Sequence, residues 1–106
     1  MVVSVAGELD LATAPRLKRA LGDVLGAGAS RVVLDMAGVT FIDSTALGVL
    51  VGVQRGLRPD ARLAIAGSGA DVMNVFELTG LDSTFDMFAT VDEALRWARG
   101  SEAATG

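Results

Sequence analysis

Asp43 and Ser44 stand together between the apolar pair Phe41-Ile42 and a second apolar stretch that begins at Ala46-Leu47. A hydroxyl at such a boundary can cap a helix, accepting a bond from a backbone N–H two or three residues on, and an Asp can do the same. It can also receive a phosphoryl group, because a helix start offers free N–H groups and a favourable dipole to an anion. Three aspartates, Asp10, Asp35 and Asp43, lie in or just after strand-like runs. Gathered at the carboxyl ends of strands, they would suit Mg²⁺. Gly67-Ser68-Gly69 has the form of a small phosphate cradle, but two glycines with no Lys make a tight turn the simpler expectation, with Ser68 or Gly69 capping the helix that follows.

The composition removes much other chemistry. The chain has no His and no Cys. Disulfides, thiolate catalysis, Cys-based metal sites and a Ser-His-Asp triad are therefore excluded. The net charge is −4, and the nine Lys and Arg form no block. A sequence-independent nucleic-acid binder needs a basic surface to displace counterions, so no nucleic-acid partner is expected.

The residues that remain need a frame to hold them. The 106 residues make one domain, and 51% of them are hydrophobic with only 5% aromatic, so the core must be aliphatic. No apolar run reaches the roughly 18 residues of a membrane span. No basic segment precedes Val2-Val-Ser-Val-Ala6, which reads as a strand rather than a signal peptide. A cytoplasmic protein without membrane contact is expected.

Gly7-Glu-Leu-Asp10 then reads as a turn. A helix follows from Thr13 or Ala14, with Pro15 in its first turn. Leu17, Ala20, Leu21, Val24 and Leu25 form its apolar stripe, and Gly26 and Gly28 end it. Arg31–Met36 is the next strand, with Gly38–Ile42 as a connection. A helix from about Ser44 to Leu57 ends before Pro59. Arg62–Ala66 is a strand, Ala70–Thr79 a helix, and Phe85–Ala89 the last strand. Thr90 and Glu93 form a capping-box pattern ahead of the final helix. Alternation of this kind predicts an α/β fold, a mostly parallel sheet of about four strands with about four helices. The domain is expected over residues 2–99, with 100–106 an irregular tail.

The ordered set Gly7-Glu-Leu-Asp10, Thr13-Ala-Pro15, Val33-Leu-Asp35, Phe41-Ile-Asp-Ser-Thr-Ala-Leu-Gly48 and Val75-Phe-Glu-Leu-Thr-Gly-Leu81 resembles the STAS-domain anti-sigma factor antagonists, from about Val3 to Arg99. The resemblance implies a single STAS-type domain that is no enzyme and holds no cofactor. It implies that Ser44 is phosphorylated by an anti-sigma factor with serine kinase activity. The unphosphorylated form would bind that factor and release the sigma factor for transcription, and a serine phosphatase would restore binding. ATP and Mg²⁺ would come with the kinase.

The surface for that partner would take in Asp10, Asp43, Ser44, Thr45, Ala46, Gly48, Val49 and Gly52. Asp10 would help shape the phosphoacceptor surface. Gly48, Gly52 and Gly56 lie four apart and leave a shallow groove on a helix that is apolar nearly all round. Packing on the sheet and an open partner face are both compatible with that pattern. A second reading within the same fold is a STAS subunit that regulates a transporter or a stress-signalling complex without being phosphorylated. Two departures from the family pattern stand out. Ala46 replaces a Gly, which keeps the helix sound and is expected to set a methyl beside the hydroxyl. Family members also usually carry a further strand ahead of the one that ends at Gly7.

Overall fold

The computed structural model describes residues 1–103, with side chains for 1–100. The elements are β1 (Val2–Leu9), α1 (Ala14–Gly26), β2 (Arg31–Ile42), α2 (Ser44–Arg55), β3 (Arg62–Ala66) and α3 (Ala70–Leu78). A single 3-10 turn at Leu81–Ser83 leads to β4 (Asp86–Phe88) and α4 (Val91–Ala103). The strands lie in the order β1-β2-β3-β4, and every neighbouring pair is parallel. This is the α/β architecture expected from the alternation of elements.

Each parallel strand needs a crossover, and the helices supply it on both faces of the sheet. On one face Val32, Leu34 and Met36 of β2 meet Leu17 and Leu21 of α1, Leu47 and Leu50 of α2, and Val72 and Phe76 of α3. On the other, Val33, Ala64 and Ala66 meet Ala94 of α4, with Phe88 and Trp97 packed alongside. Each large aliphatic chain removed from water on these faces contributes about 1.5–3 kcal/mol. Trp97 lies 5.5 Å from the Phe88 ring, and the Arg31 guanidinium sits 5.1 Å above it.

Two strands are longer than their sequences suggest. β1 continues through Gly7-Glu8-Leu9, where a turn is expected, and β2 continues through Gly38 to Ile42, where a connection is expected. The cause is a pair of bulges. Ser4 pairs with Asp35 but Ala6 with Gly38, and Gly7 pairs with Val39 but Glu8 with Phe41, so β2 carries one extra residue at each step. Gly38 permits the close approach, since a Cβ there would lie 2.9 Å from that of Ala6. Gly7 has φ of 79°. β2 leaves β3 at the Asp35–Ala66 pair, so its last residues run on beside β1 alone as a two-stranded ribbon.

The ends of the chain correct two further expectations. β4 is only three residues long, Asp86–Phe88 rather than Phe85–Ala89, because its one neighbour β3 ends at Ala66, opposite Phe88. α4 runs through 100–103, where the tail was expected to begin; a stretch without apolar periodicity simply extends an existing helix. The remainder of that expected tail lies outside the described residues. At the start of α4 the Thr90 hydroxyl accepts from the Glu93 N–H at 3.2 Å, which is the forward half of the capping box. No helix among the described residues is long and apolar enough to cross a membrane.

Candidate functional site

β1 and β2 end in register at the Leu9–Ile42 pair, and the Asp43 N–H donates to the Leu9 carbonyl at 2.9 Å. The ribbon thereby delivers two loops side by side: Asp10–Thr13, which leads into α1, and Asp43, which starts α2. Asp43 has extended backbone, φ −109° and ψ 178°, and is the N-cap of α2. Its Oδ1 accepts from the Ala46 N–H at 3.0 Å, and its Oδ2 accepts from the Leu11 N–H at 3.1 Å. One carboxylate caps the helix and ties down the neighbouring loop.

Because Asp43 takes the capping role, Ser44 is released from it. Ser44 is the first residue of α2 and is exposed, as is Thr45. The Ser44 hydroxyl and the backbone N–H groups of Ser44 and Thr45 have no partner among the described residues. A nucleophilic oxygen is therefore open to solvent where two free amides and the helix dipole favour an added anion.

Asp10 holds its own loop rather than facing outward. Its half-buried carboxylate accepts from the Ala12 N–H at 3.0 Å and the Thr13 N–H at 3.1 Å. Its N–H donates to the Thr13 hydroxyl, which in turn donates to the Glu8 carbonyl. Together with the Asp43 bond to Leu11, carboxylates hold every amide from Leu11 to Thr13. These bonds fix the loop that lies beside the start of α2.

The three-aspartate reading fails on geometry. Asp35 sits in the middle of β2, accepting from the Ser4 hydroxyl at 3.3 Å and the Ala37 N–H at 2.9 Å. Among the described residues no three acidic groups gather in a way that could hold a metal ion. The phosphate-cradle reading fails as well. Gly67 takes φ of 76° with Ala37 packed against it, and Gly69 is the N-cap of α3 without any side-chain bond. The Ser68 hydroxyl is buried without a partner among the described residues, so Ser68 does not cap the helix.

Along α2, Ala46, Leu47 and Leu50 are buried in the core. Ala46 is fully buried, so its methyl enters the core and does not stand beside the Ser44 hydroxyl; nor does Ala46 itself form part of the surface. Thr45, Gly48 and Gly52 are exposed and Val49 is half-buried. They line a groove of about 630 Å³ between α2 and α1, with Lys18 on its far wall. A Cβ at Gly48 or Gly52 would touch nothing, so packing within the chain does not require glycine there. Sequence reasoning missed two exposed apolar residues at this end, Leu11 and Phe41. Their only sequence signal is that each lies next to the Asp motifs but outside any amphipathic stripe.

Known proteins share the fold that carries this site. The STAS domain family model matches residues 1–94. The chain is 32% identical over 99 residues to the anti-sigma-F factor antagonist RsfB of Mycobacterium tuberculosis, covering 93% of this chain and 81% of that one. It superposes on the crystal structure of an anti-sigma factor antagonist from Mycobacterium paratuberculosis with a TM-score of 0.86 at 36% identity, covering 92% of this chain and 84% of that one. It is similar also to the anti-sigma factor antagonist SpoIIAA in its unphosphorylated form, with a TM-score of 0.78 at 26% identity over 93% of this chain and 87% of that one. With the match spanning nearly every described element, the chain belongs to the STAS domain family.

Proposed function

We propose that this protein is an anti-sigma factor antagonist switched off by phosphorylation at Ser44. In this reading the unphosphorylated chain binds an anti-sigma factor with serine kinase activity through the start of α2 and the groove beside it, freeing a sigma factor. A serine phosphatase reverses the modification. The protein acts in the cytoplasm, where transcription takes place, and catalyses nothing itself. The observation that carries the reading is the exposed, unpartnered Ser44 hydroxyl at the first position of α2, beside an Asp43 that already caps the helix. Relatives named as antagonists of anti-sigma factors support it.

The electrostatics favour a switch of interface rather than of fold. A phosphate adds about −1.5 to −2 charges and three acceptor oxygens. The helix start favours that charge by roughly 0.3 to 2 kcal/mol, and the adjacent Asp43 carboxylate opposes it by a similar order. The fold tolerates the sum. A partner closed over the same spot does not, since burying an unpaired dianion costs several kcal/mol.

The test is incubation with a purified anti-sigma kinase and ATP, read by mass spectrometry and far-UV circular dichroism. One phosphate should be added, Ser44→Ala should abolish it, and the dichroism should stay unchanged while binding is lost. Phosphate on Thr45, or none on a chain that still binds the kinase, would overturn the assignment of Ser44.

A further inference from the structure

Five large apolar side chains are markedly exposed among the described residues: Met1, Val2, Leu11, Phe41 and Leu78. Two of them lie at the end of the β1–β2 ribbon that carries the candidate switch. Leu11 is 73% exposed and its amide is bonded to the Asp43 carboxylate; Phe41 is 50% exposed and lies two residues before Asp43 at the tip of the β1–β2 ribbon. Leu11 is not on a loose loop. The carboxylates of Asp10 and Asp43 hold the amides of residues 11, 12 and 13, and the Thr13 hydroxyl closes the loop onto Glu8. A rigidly presented apolar side chain loses little conformational entropy when it is buried by a partner, which is the property of a binding hot spot.

Resting on the Ser44 reading above, the geometry points to Leu11 and Phe41 as the apolar anchors by which the anti-sigma kinase grips this chain. The kinase must bring its nucleotide to the Ser44 hydroxyl, so residues on either side of Asp43 fall under its surface. The occupant has a matching chemistry: apolar depressions on both flanks of a nucleotide cleft, without a carboxylate facing Asp43. Asp43 then acts as a positioning residue for Leu11 as well as a helix cap. A phosphate on Ser44 brings a strongly hydrated dianion to the start of α2, and a kinase closed over that end of the sheet must desolvate it.

Leu78 supplies an internal control. It is 79% exposed, but it sits at the end of α3, which starts at the carboxyl end of β3 and runs back towards the opposite end of the sheet. Affinity of the unphosphorylated chain for the purified kinase should be measured by calorimetry for Leu11→Ala, Leu11→Gln, Phe41→Ala and Leu78→Ala, with melting temperature recorded for each. The first three should weaken binding by about tenfold or more, while Leu78→Ala stays near wild type. Melting should be unchanged for the two Leu11 variants and somewhat lowered for Phe41→Ala, since Phe41 lines a cleft with Val72 and Val75. At saturating kinase the rate of Ser44 phosphorylation should be unchanged in all four, because the anchors dock and do not react. Wild-type affinity in the Leu11 and Phe41 variants, with Ser44 still phosphorylated, overturns the anchors and leaves the Ser44 reading standing. A wild-type chain that neither binds nor is phosphorylated by the kinase overturns both.

Discussion

Two serines of this chain occupy nearly the same place in the topology and meet opposite fates. Ser44 and Ser68 each lie where a parallel strand gives way to the helix that returns along the same face of the sheet, Ser44 as the first residue of its helix and Ser68 two residues before its own. At the start of α2 an acid supplies the cap, so the serine one residue on stays exposed with free amides around it. At the start of α3 a glycine takes the N-cap position without a side-chain bond, and the preceding serine turns its hydroxyl into the protein, where it has no partner among the described residues. The two serines differ in their place relative to the cap: Ser44 follows its N-cap as the first residue of α2, whereas Ser68 precedes the N-cap of α3. At α2 the Asp43 carboxylate occupies the Ala46 amide and leaves the Ser44 hydroxyl on the exposed first turn.

The contrast can be broken at several points. The largest effect should come from exchanging the hydroxyls: Ser44→Ala should abolish phosphate incorporation by the anti-sigma kinase entirely, whereas Ser68→Ala should leave it unaltered. Asp43→Ala should follow, lowering stability by about 1–2 kcal/mol in urea titration, since it removes both the helix cap and the tie to Leu11. Asp43→Asn should fall between, because one amide oxygen replaces two carboxylate acceptors and an NH₂ then faces a backbone N–H.

Ala46→Gly should lower stability by about 1 kcal/mol, from the lost buried methyl and the weaker helix former, without changing the rate at which Ser44 is phosphorylated. A faster rate in that variant would place the Ala46 methyl beside the hydroxyl after all. The smallest effect belongs to Ser68→Ala in the same titration. Deleting a buried hydroxyl without a partner should raise stability by about 1 kcal/mol or less. A loss of stability would show that the hydroxyl has a partner in solution.

Much of the fold is legible in the chain. The stripe Leu17, Leu21, Val24 and Leu25 marks α1, the unbroken apolar run of Val32, Val33 and Leu34 marks a strand covered on both faces, and Thr90 with Glu93 marks the start of α4. Strand lengths are not legible. Gly7 and Gly38 read locally as punctuation, yet both lie inside strands, because two bulges let β1 and β2 keep pairing past them. A bulge depends on the partner strand, which no local window contains.

The same division runs through the site. Residue types alone exclude thiol, histidine and disulfide chemistry, and the order of motifs from Gly7 to Leu81 points to one family and to the Asp43-Ser44 step. Asp and Ser are equally good caps, so their order along the chain leaves the choice between them open. The tertiary structure decides it, by pairing Leu9 with Ile42 and so bringing the Leu11 amide to the second oxygen of Asp43. Exposure works in the same way. It is a property of what packs across from a residue, and only the folded chain leaves Ser44 open to solvent while burying the hydroxyl of Ser68 and the methyl of Ala46.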